Sequence, residues 1–273
     1  MTQTSQQKVA LVTGASSGIG KATAQRLLDD GLTVYVAARR VDKMQDLADA
    51  GAKVIAMDIT KDDDIVAAVE QISSETGGVE VLINNAGYGQ YGPVEETSVD
   101  KARYQFEVNL FGLARLTQMM LPAMRDKRSG LIINISSMGG KIYTPLGSWY
   151  HATKHALEGW SDCLRIELKP HGIDVVIIEP GLIDTGFGGA LEHNFQSSEN
   201  SAYQGIIDKL MAAAKNAPAG SPPGVITNLV VRAINSSKPK TRYSAGKMGP
   251  SAIFMRWLLP DRWFDRMIMR QFT

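Results

Sequence analysis

The sequence predicts an α/β fold in three layers, α/β/α, built on a doubly wound parallel sheet in a single domain. Three observations carry this. Short apolar, β-rich runs alternate six times with segments of helical periodicity. The strand runs are almost continuously apolar, the pattern of a sheet covered on both faces. A glycine-rich turn, "TGASSGIG" at 13–20, closes the first run and opens the first helix.

The elements follow in order. "KVALVTG" reads as a buried strand. A helix starts near Ser17, carries Ile19, Ala22, Thr23 and Leu27 at helical spacing, and stops at Gly31. "TVYVAAR" and "AKVIAMD" are strands two and three. Ile65, Ala68, Val69 and Ile72 mark a helix over 64–74, and "EVLINNAG" is strand four. A long helix over about 100–127 has the inner stripe Ala102, Phe106, Leu110, Leu113, Thr117, Met120 and Met124. "GLIINISS" is strand five, 149–169 a helix carrying Ala156, Trp160, Cys163 and Leu164, and "DVVIIEPG" strand six. Right-handed crossovers between such strands give a Rossmann-type sheet. No linker interrupts the chain before residue 185, and no repeats occur. Beyond it, 186–220 reads as a substrate lid with the loop "NAPAGSPPG", "TRYSAG" as a last strand, and 250–273 as an apolar, basic tail.

Composition narrows the function classes. The formal charge of +1 over 273 residues argues against a nucleic-acid footprint. A lone cysteine, Cys163, builds neither an internal disulfide nor a cysteine zinc site, and it fits a reducing compartment. The polar N-terminus lacks a secretory core, and no apolar run of about 18 residues predicts a spanning helix. The expectation is a cytoplasmic protein without a metal site.

In a parallel sheet, ligands sit beyond the carboxyl ends of the strands. "TGASSGIG" occupies such an end, where free N–H groups and the helix dipole favour an anion. Gly14 makes the sharp turn, Gly18 lets a pyrophosphate touch the backbone, and Gly20 lets helix pack on strand. The competing reading is a glycine-rich turn without a ligand. Strand two then ends "AARR", with Ala38 where an acid would select NAD. Arg39 and Arg40 follow, and an arginine fork pairs with a 2′-phosphate. The prediction is NADP(H), with Arg39 as main contact and Arg40 either a second contact or a surface charge.

"YHATK" sets Tyr150 and Lys154 four residues apart on one helical face. A free phenol has a pKa of about 10, and a nearby ammonium favours the phenolate. A tyrosine so tuned exchanges a proton with a carbonyl or alcohol oxygen. Ser137 closes strand five at the same sheet end, Asn84 and Asn85 close strand four, and Asn109 lies among apolar neighbours in the long helix.

With "MDI" at 57–59, "NNAG" at 84–87, "NLFG" at 109–112, "SS" at 136–137 and "PGLIDT" at 180–185, the chain resembles the short-chain dehydrogenase/reductase family from about Lys8 to Thr185. The resemblance implies that Tyr150 is the general acid in reduction and the base in oxidation. Lys154 would bind the nicotinamide ribose and depress the tyrosine's pKa. Ser137, rather than Ser136, would polarise the substrate oxygen, and Asn109 would hold a water that relays protons from Lys154. Asp58 and Ile59 would border the adenine, Asn85 and Ala86 the adenosine ribose, and Ile183 and Thr185 the carboxamide and phosphate side of the nicotinamide. Ser16, Ser17, Ile19, Gly87, Pro180 and Gly181 complete the implied coenzyme contacts, with Gly14, Gly18 and Gly20. Relatives that prefer NADP often carry a basic residue where this chain has Ser17.

Other residues invite plainer readings. His151 and His155 flank the Tyr–Lys pair, but His151 is turned about 100° from Tyr150, so both are expected to be exposed or packed. His171 and His193 have no metal-ligand spacing. "DDD" at 62–64 suits a helix start. Cys163 is expected in the core. The tail offers Ile253, Phe254, Trp257, Leu258, Trp263, Phe264, Met267 and Ile268 among Arg256, Arg262, Arg266 and Arg270. It reads either as a membrane-interface helix or as a lid or subunit contact; Asp261 and Asp265 favour packing.

The function expected is hydride transfer between NADP(H) and a carbonyl or secondary alcohol. Ile142, Tyr143, Leu146, Phe187, Leu191 and Phe195 suggest a lipophilic substrate. The alternatives are an NADP(H)-binding sensor without turnover, and an epimerase or dehydratase on the same fold. By family analogy, the partners are the small-molecule substrate and further copies in a homodimer or homotetramer.

Overall fold

The computed structural model describes residues 7–185, 194–215 and 219–270. Seven strands pair only in parallel: β1 (Val9–Thr13), β2 (Thr33–Ala38), β3 (Lys53–Ala56), β4 (Val81–Asn84), β5 (Gly130–Ile135), β6 (Ile173–Pro180) and β7 (Arg242–Ala245). Their order is β3-β2-β1-β4-β5-β6-β7. The chain therefore leaves β1 toward one edge and returns beside it as β4, which opens a crevice at the carboxyl ends of β1 and β4. "TRYSAG" supplies β7, as the sequence predicts.

Helices cover both faces. One layer holds α1 (Gly18–Asp29) and α2 (Gln45–Asp49), joined later by α8 (Gly224–Ile234). It shares a core with Val12, Val36, Ile83, Ile133 and Ile178. The other layer holds α3 (Asp62–Thr76), α4 (Val99–Phe106), α5 (Gly112–Asp126) and α6 (Ser148–Leu168). There Ile72, Leu116, Met120, Met124 and Leu164 pack on Leu11, Tyr35, Leu82 and Ile132. Consecutive strand residues thus feed opposite cores, which is why the runs read as continuously apolar. Truncating a fully buried anchor such as Leu82 to alanine costs about 2–5 kcal/mol.

The helix predicted over 100–127 is two α-helices joined by a π-turn, Glu107–Phe111. The Gly112 N–H donates to the Glu107 carbonyl, five residues back. A side chain at Gly112 would strike the Ile59 carbonyl, so glycine brings the helix onto the loop after β3. Asp62, Asp63 and Asp64 do occupy the first turn of α3; Asp62 pairs with Arg115 at 2.6 Å, and Asp64 accepts the Asp58 N–H at 2.8 Å.

Past residue 203 the chain forms α7 (Gln204–Lys215), α8, α9 (Gly249–Leu258) and α10 (Asp261–Met269). Part of "NAPAGSPPG" is helical, because Gly224 opens α8 behind Pro222 and Pro223. Cys163 is exposed, a correction: it lies on α6 about 100° from the buried Leu164 and looks outward. His155 is exposed and His151 is buried.

Candidate active site

A cleft of about 620 Å³ runs along the carboxyl ends of the central strands. Its floor at one end is the turn after β1. Gly14 has φ +66°, and a Cβ there would lie 2.9 Å from the Ala86 Cα. Backbone cannot yield, so glycine is required on both counts. Thr13 Oγ accepts the N–H groups of Asn85 and Ala86, each at 3.0 Å, and Asn85 Nδ2 donates to the Thr13 carbonyl at 2.9 Å. This bracing of β1 to β4 holds the turn open as a cradle. Thr13 has no site role from sequence; its position before Gly14 was the available signal.

Ser16, Ser17, Gly18 and Ile19 line the cleft at the start of α1, where Ser17 is the N-cap and makes no side-chain capping bond. Thr185 crosses above: its Cγ2 lies 3.1 Å from where a Gly18 Cβ would stand. Gly20 lies outside the cleft wall. A side chain there would strike Asn85 and the Gly14 carbonyl, so its role is packing beneath the turn.

Arg39 and Arg40 both line the cleft. Arg39 Nη1 donates to the Tyr104 hydroxyl at 3.1 Å, whereas Arg40 Nη2 donates to Ser16 Oγ at 3.1 Å and Ser17 Oγ at 3.4 Å. Arg40 is thus the arginine that folds onto the glycine turn, which the sequence left open between contact and surface charge. Asp58, Ile59, Ala86, Gly87 and Tyr88 form the wall between this end and the other. Pro180, Gly181 and Ile183, from the end of β6, face them. Tyr88 and Tyr104, neither singled out from sequence, add two rings 5.9 Å apart to that wall.

Ser137, Tyr150 and Lys154 meet at the far end. Ser137 caps the turn Met138–Gly140 and accepts the Gly139 N–H at 3.0 Å. Its hydroxyl favours the ionised form of the Tyr150 phenol. Ser136 instead turns its hydroxyl inward, beneath Gly140. Tyr150 is buried, with Tyr91 at 5.6 Å and His151 edge-on at 5.8 Å between ring centres. Burial lifts its phenol above the ordinary range, and the Ser137 hydroxyl opposes this.

Lys154 Nζ donates to the Ile135 carbonyl at 2.9 Å. Burial brings the ammonium down to about 8, with Glu158, one turn along α6, holding it up.

Asn109 lies beneath the cleft wall, in the π-turn. Its Oδ1 accepts the Tyr88 N–H at 3.0 Å, while Nδ2 donates to the Tyr88 carbonyl at 2.9 Å and to Thr153 Oγ at 3.1 Å. The amide thus clamps the segment after β4 to α6. Asn84 is also below, donating to Thr117 and Asn134.

Of the residues expected against substrate, Ile142 and Tyr143 pack under α9 and α10 rather than in the cleft wall, because Phe264 and Ile268 cover them. Leu146 is buried. Phe195 bridges to Tyr91. Phe187 and Leu191 fall outside the described residues. His151 is a structural clamp: Nδ1 lies 2.9 Å from the Gly139 carbonyl, and Nε2 accepts the Thr144 N–H at 3.1 Å. Among the described residues, no three His, Cys, Asp or Glu side chains are placed to hold a metal ion, and no helix is long and apolar enough to cross a membrane.

Residues 8–196 match the family model for short chain dehydrogenases. The chain belongs to the short-chain dehydrogenase/reductase family. It is 34% identical over 244 residues to a 3-ketodihydrosphingosine reductase of Bacteroides thetaiotaomicron, covering 89% of each chain. It is 32% identical over 276 residues to an NADPH-dependent 3-dehydrocapnine reductase of Ornithobacterium rhinotracheale, covering 96% of each. A solved short-chain dehydrogenase from Streptomyces avermitilis superposes with a TM-score of 0.85 at 35% identity, over 98% of this chain and 97% of that one. Solved relatives at 25% and 31% identity hold NADH or NADPH. The chain is therefore an oxidoreductase of alcohol and ketone groups in a family that uses nicotinamide coenzymes.

Proposed function

We propose that the protein is an NADP(H)-dependent reductase of lipophilic ketones, able to run in reverse on the secondary alcohol. The observation that carries this is the layout of the cleft. Ser137 and Tyr150, with the buried Lys154, stand at one end, and two arginines stand at the other. The residues fit the coenzyme. The turn at Gly14 leaves no side chain between backbone and cleft, the N-terminus of α1 opens on the cleft and favours an anion there, and Arg39 and Arg40 supply cations where a 2′-phosphate would lie.

When bound, the coenzyme supplies the hydride. The chain does the rest. An ammonium has three donors, and Lys154 spends one on Ile135, so it can also hold ribose hydroxyls. Ser137 and Tyr150 place two hydroxyls on a substrate oxygen. Tyr150 remains a phenol at neutral pH because burial disfavours its anion, which makes it a proton donor to an oxygen that gains charge. Oxidation reverses the proton's path.

Support for NADP(H) comes from Arg40 on Ser16 and Ser17 and from a relative named as NADPH-dependent. Support for an apolar substrate comes from the Tyr91 ring, 5.6 Å from that of Tyr150, and from a relative named as a 3-ketodihydrosphingosine reductase. A panel of ketones from small and charged to long-chain, read by nicotinamide absorbance with NADPH and NADH, tests this. Rates that rise with substrate lipophilicity and favour NADPH are expected. NADPH binding without oxidation by any ketone would instead indicate a sensor.

A further inference from the structure

The two C-terminal helices bury one face each and leave the other bare. Phe264 and Ile268 of α10 pack with Ile142 against Met138, Tyr143 and Leu210. Arg256 of α9 lies 5.4 Å from the ring centres of both Tyr143 and Phe264, so the two helices share one support. Away from it, α9 exposes Phe254, Trp257 and Leu258 at helical spacing, and α10 exposes Trp263. Trp257 is 78% exposed and Trp263 61%, which puts two of the chain's four tryptophans in solvent on adjoining helices.

The charge on this face is predominantly positive. Asp261 and Asp265, the acids that speak for packing in the sequence, are both engaged. Asp261 pairs with Arg256 at 2.8 Å, and Asp265 accepts the Tyr143 hydroxyl at 2.8 Å. Arg262, Arg266 and Arg270 recur every fourth residue as one exposed stripe of α10, and Lys247 is exposed just before α9. None of these four forms an ion pair with a described residue. Arg266 lies over the Trp263 ring at 5.6 Å.

We infer that this outer face of α9 and α10 docks the protein on an anionic lipid bilayer. Tryptophans seated at the headgroup level, with arginines between them and anionic lipid, are the composition such a surface selects. A second copy fits less well, because a two-fold contact through this face would oppose the same unpaired cations. The supporting segment 138–143 directly follows Ser137, so the bilayer would meet the substrate end of the cleft. That last point rests on the lipophilic-substrate reading; docking itself does not.

The test is co-sedimentation of the full chain with phosphatidylcholine vesicles and with vesicles containing about a third phosphatidylglycerol. Binding is expected to the anionic vesicles only, to weaken in high salt, and to bring a blue shift in tryptophan emission. Arg262→Glu/Arg266→Glu and Trp257→Ser/Trp263→Ser should each lower partitioning tenfold or more while melting temperature and coenzyme affinity stay unchanged. Single variants replace any double variant that melts early. Failure to sediment with anionic vesicles, or charge-reversed protein that sediments as before, overturns the inference. So does a dimer that both double variants abolish, without vesicle binding. The vesicle assay needs no turnover, so its failure leaves the ketone-reductase reading standing.

Discussion

Replacing Arg39 or Arg40 by alanine isolates coenzyme choice, because both line the cleft and neither touches the reacting end. An arginine bonded to a phosphate is worth about 1.5–3 kcal/mol. Each gives up a hydrogen bond to a neutral hydroxyl that it now makes: Arg39 to Tyr104, Arg40 to Ser16 and Ser17. That exchange costs about 1 kcal/mol, which leaves roughly 0.5–2 kcal/mol per arginine. At about 1.4 kcal/mol per decade, either variant should bind NADPH about 2–30-fold more weakly. The double variant should lose less than the product, since two cations on one phosphate couple. NADH lacks the phosphate, and its affinity should change by less than about twofold. Both side chains are exposed, so added salt should shrink the NADPH effect. Calorimetric titration of each variant with both coenzymes measures this. Equal losses for NADPH and NADH would mean that the arginines shape the cleft rather than read a phosphate. No loss for either would remove the structural basis of the NADP assignment.

Other consequences are as direct. Tyr150→Phe should keep coenzyme affinity within about twofold and cut turnover about 10²–10⁴-fold, the range for general acid–base groups; near-normal single-turnover rates would remove Tyr150 as proton donor. Gly14→Ala places a Cβ 2.9 Å from the Ala86 backbone at φ +66°, so it should lower the melting temperature by several degrees and abolish coenzyme binding; an unchanged melt would show that the turn relaxes. Glu179 is buried beside Glu158, Lys141, Arg242 and Asp162, and burial lifts its carboxyl from 4.5 to about 7. Between those values the folded state keeps a proton that the unfolded state has released. Stability therefore falls as pH rises through that window, and the full cost is present above it. The shift converts to about 3 kcal/mol at most, and to ~1–2 after screening by the partly exposed Arg242 and Lys141. Glu179→Gln should then be more stable than the parent at pH 8 and no more stable near pH 4.5. Urea melts that show the same gap at both pH values would contradict this.

How far the fold was legible follows from what each element buries. A strand between two helical layers must be apolar on both faces, so β1 to β6 announce themselves. The π-turn does not, because one extra residue in a turn shifts the stripe from Phe106 to Leu113 too little to break a helical reading. In α8, Ile226, Val230, Ala233 and Ile234 have helical spacing, but the two prolines before them read as loop rather than as a helix entrance. At the site, spacing placed Tyr150 and Lys154 on one face and could say no more. Where Nζ goes is decided by the Ile135 carbonyl, which belongs to β5.

Asn109 and the C-terminal tail mark different limits of what one dimension can tell. An amide among apolar neighbours needs partners, and those of Asn109 are Tyr88 and Thr153, distant in sequence. Periodicity can demand a hydrogen bond but cannot name its other end. The tail fails in the opposite sense. Packing and interface are rivals only while the residues are counted together, whereas a helix has two faces and each can meet a different medium. Phe264 and Ile268 account for the packed face of α10. They leave the stripe of Arg262, Arg266 and Arg270 unexplained, and the acids that counted against lipid prove to be neutralised by Arg256 or bonded to Tyr143. A charge tally over a segment therefore has little weight until the pairs inside it are known, because an acid paired with an arginine of the same segment adds no net charge to the surface a partner would meet.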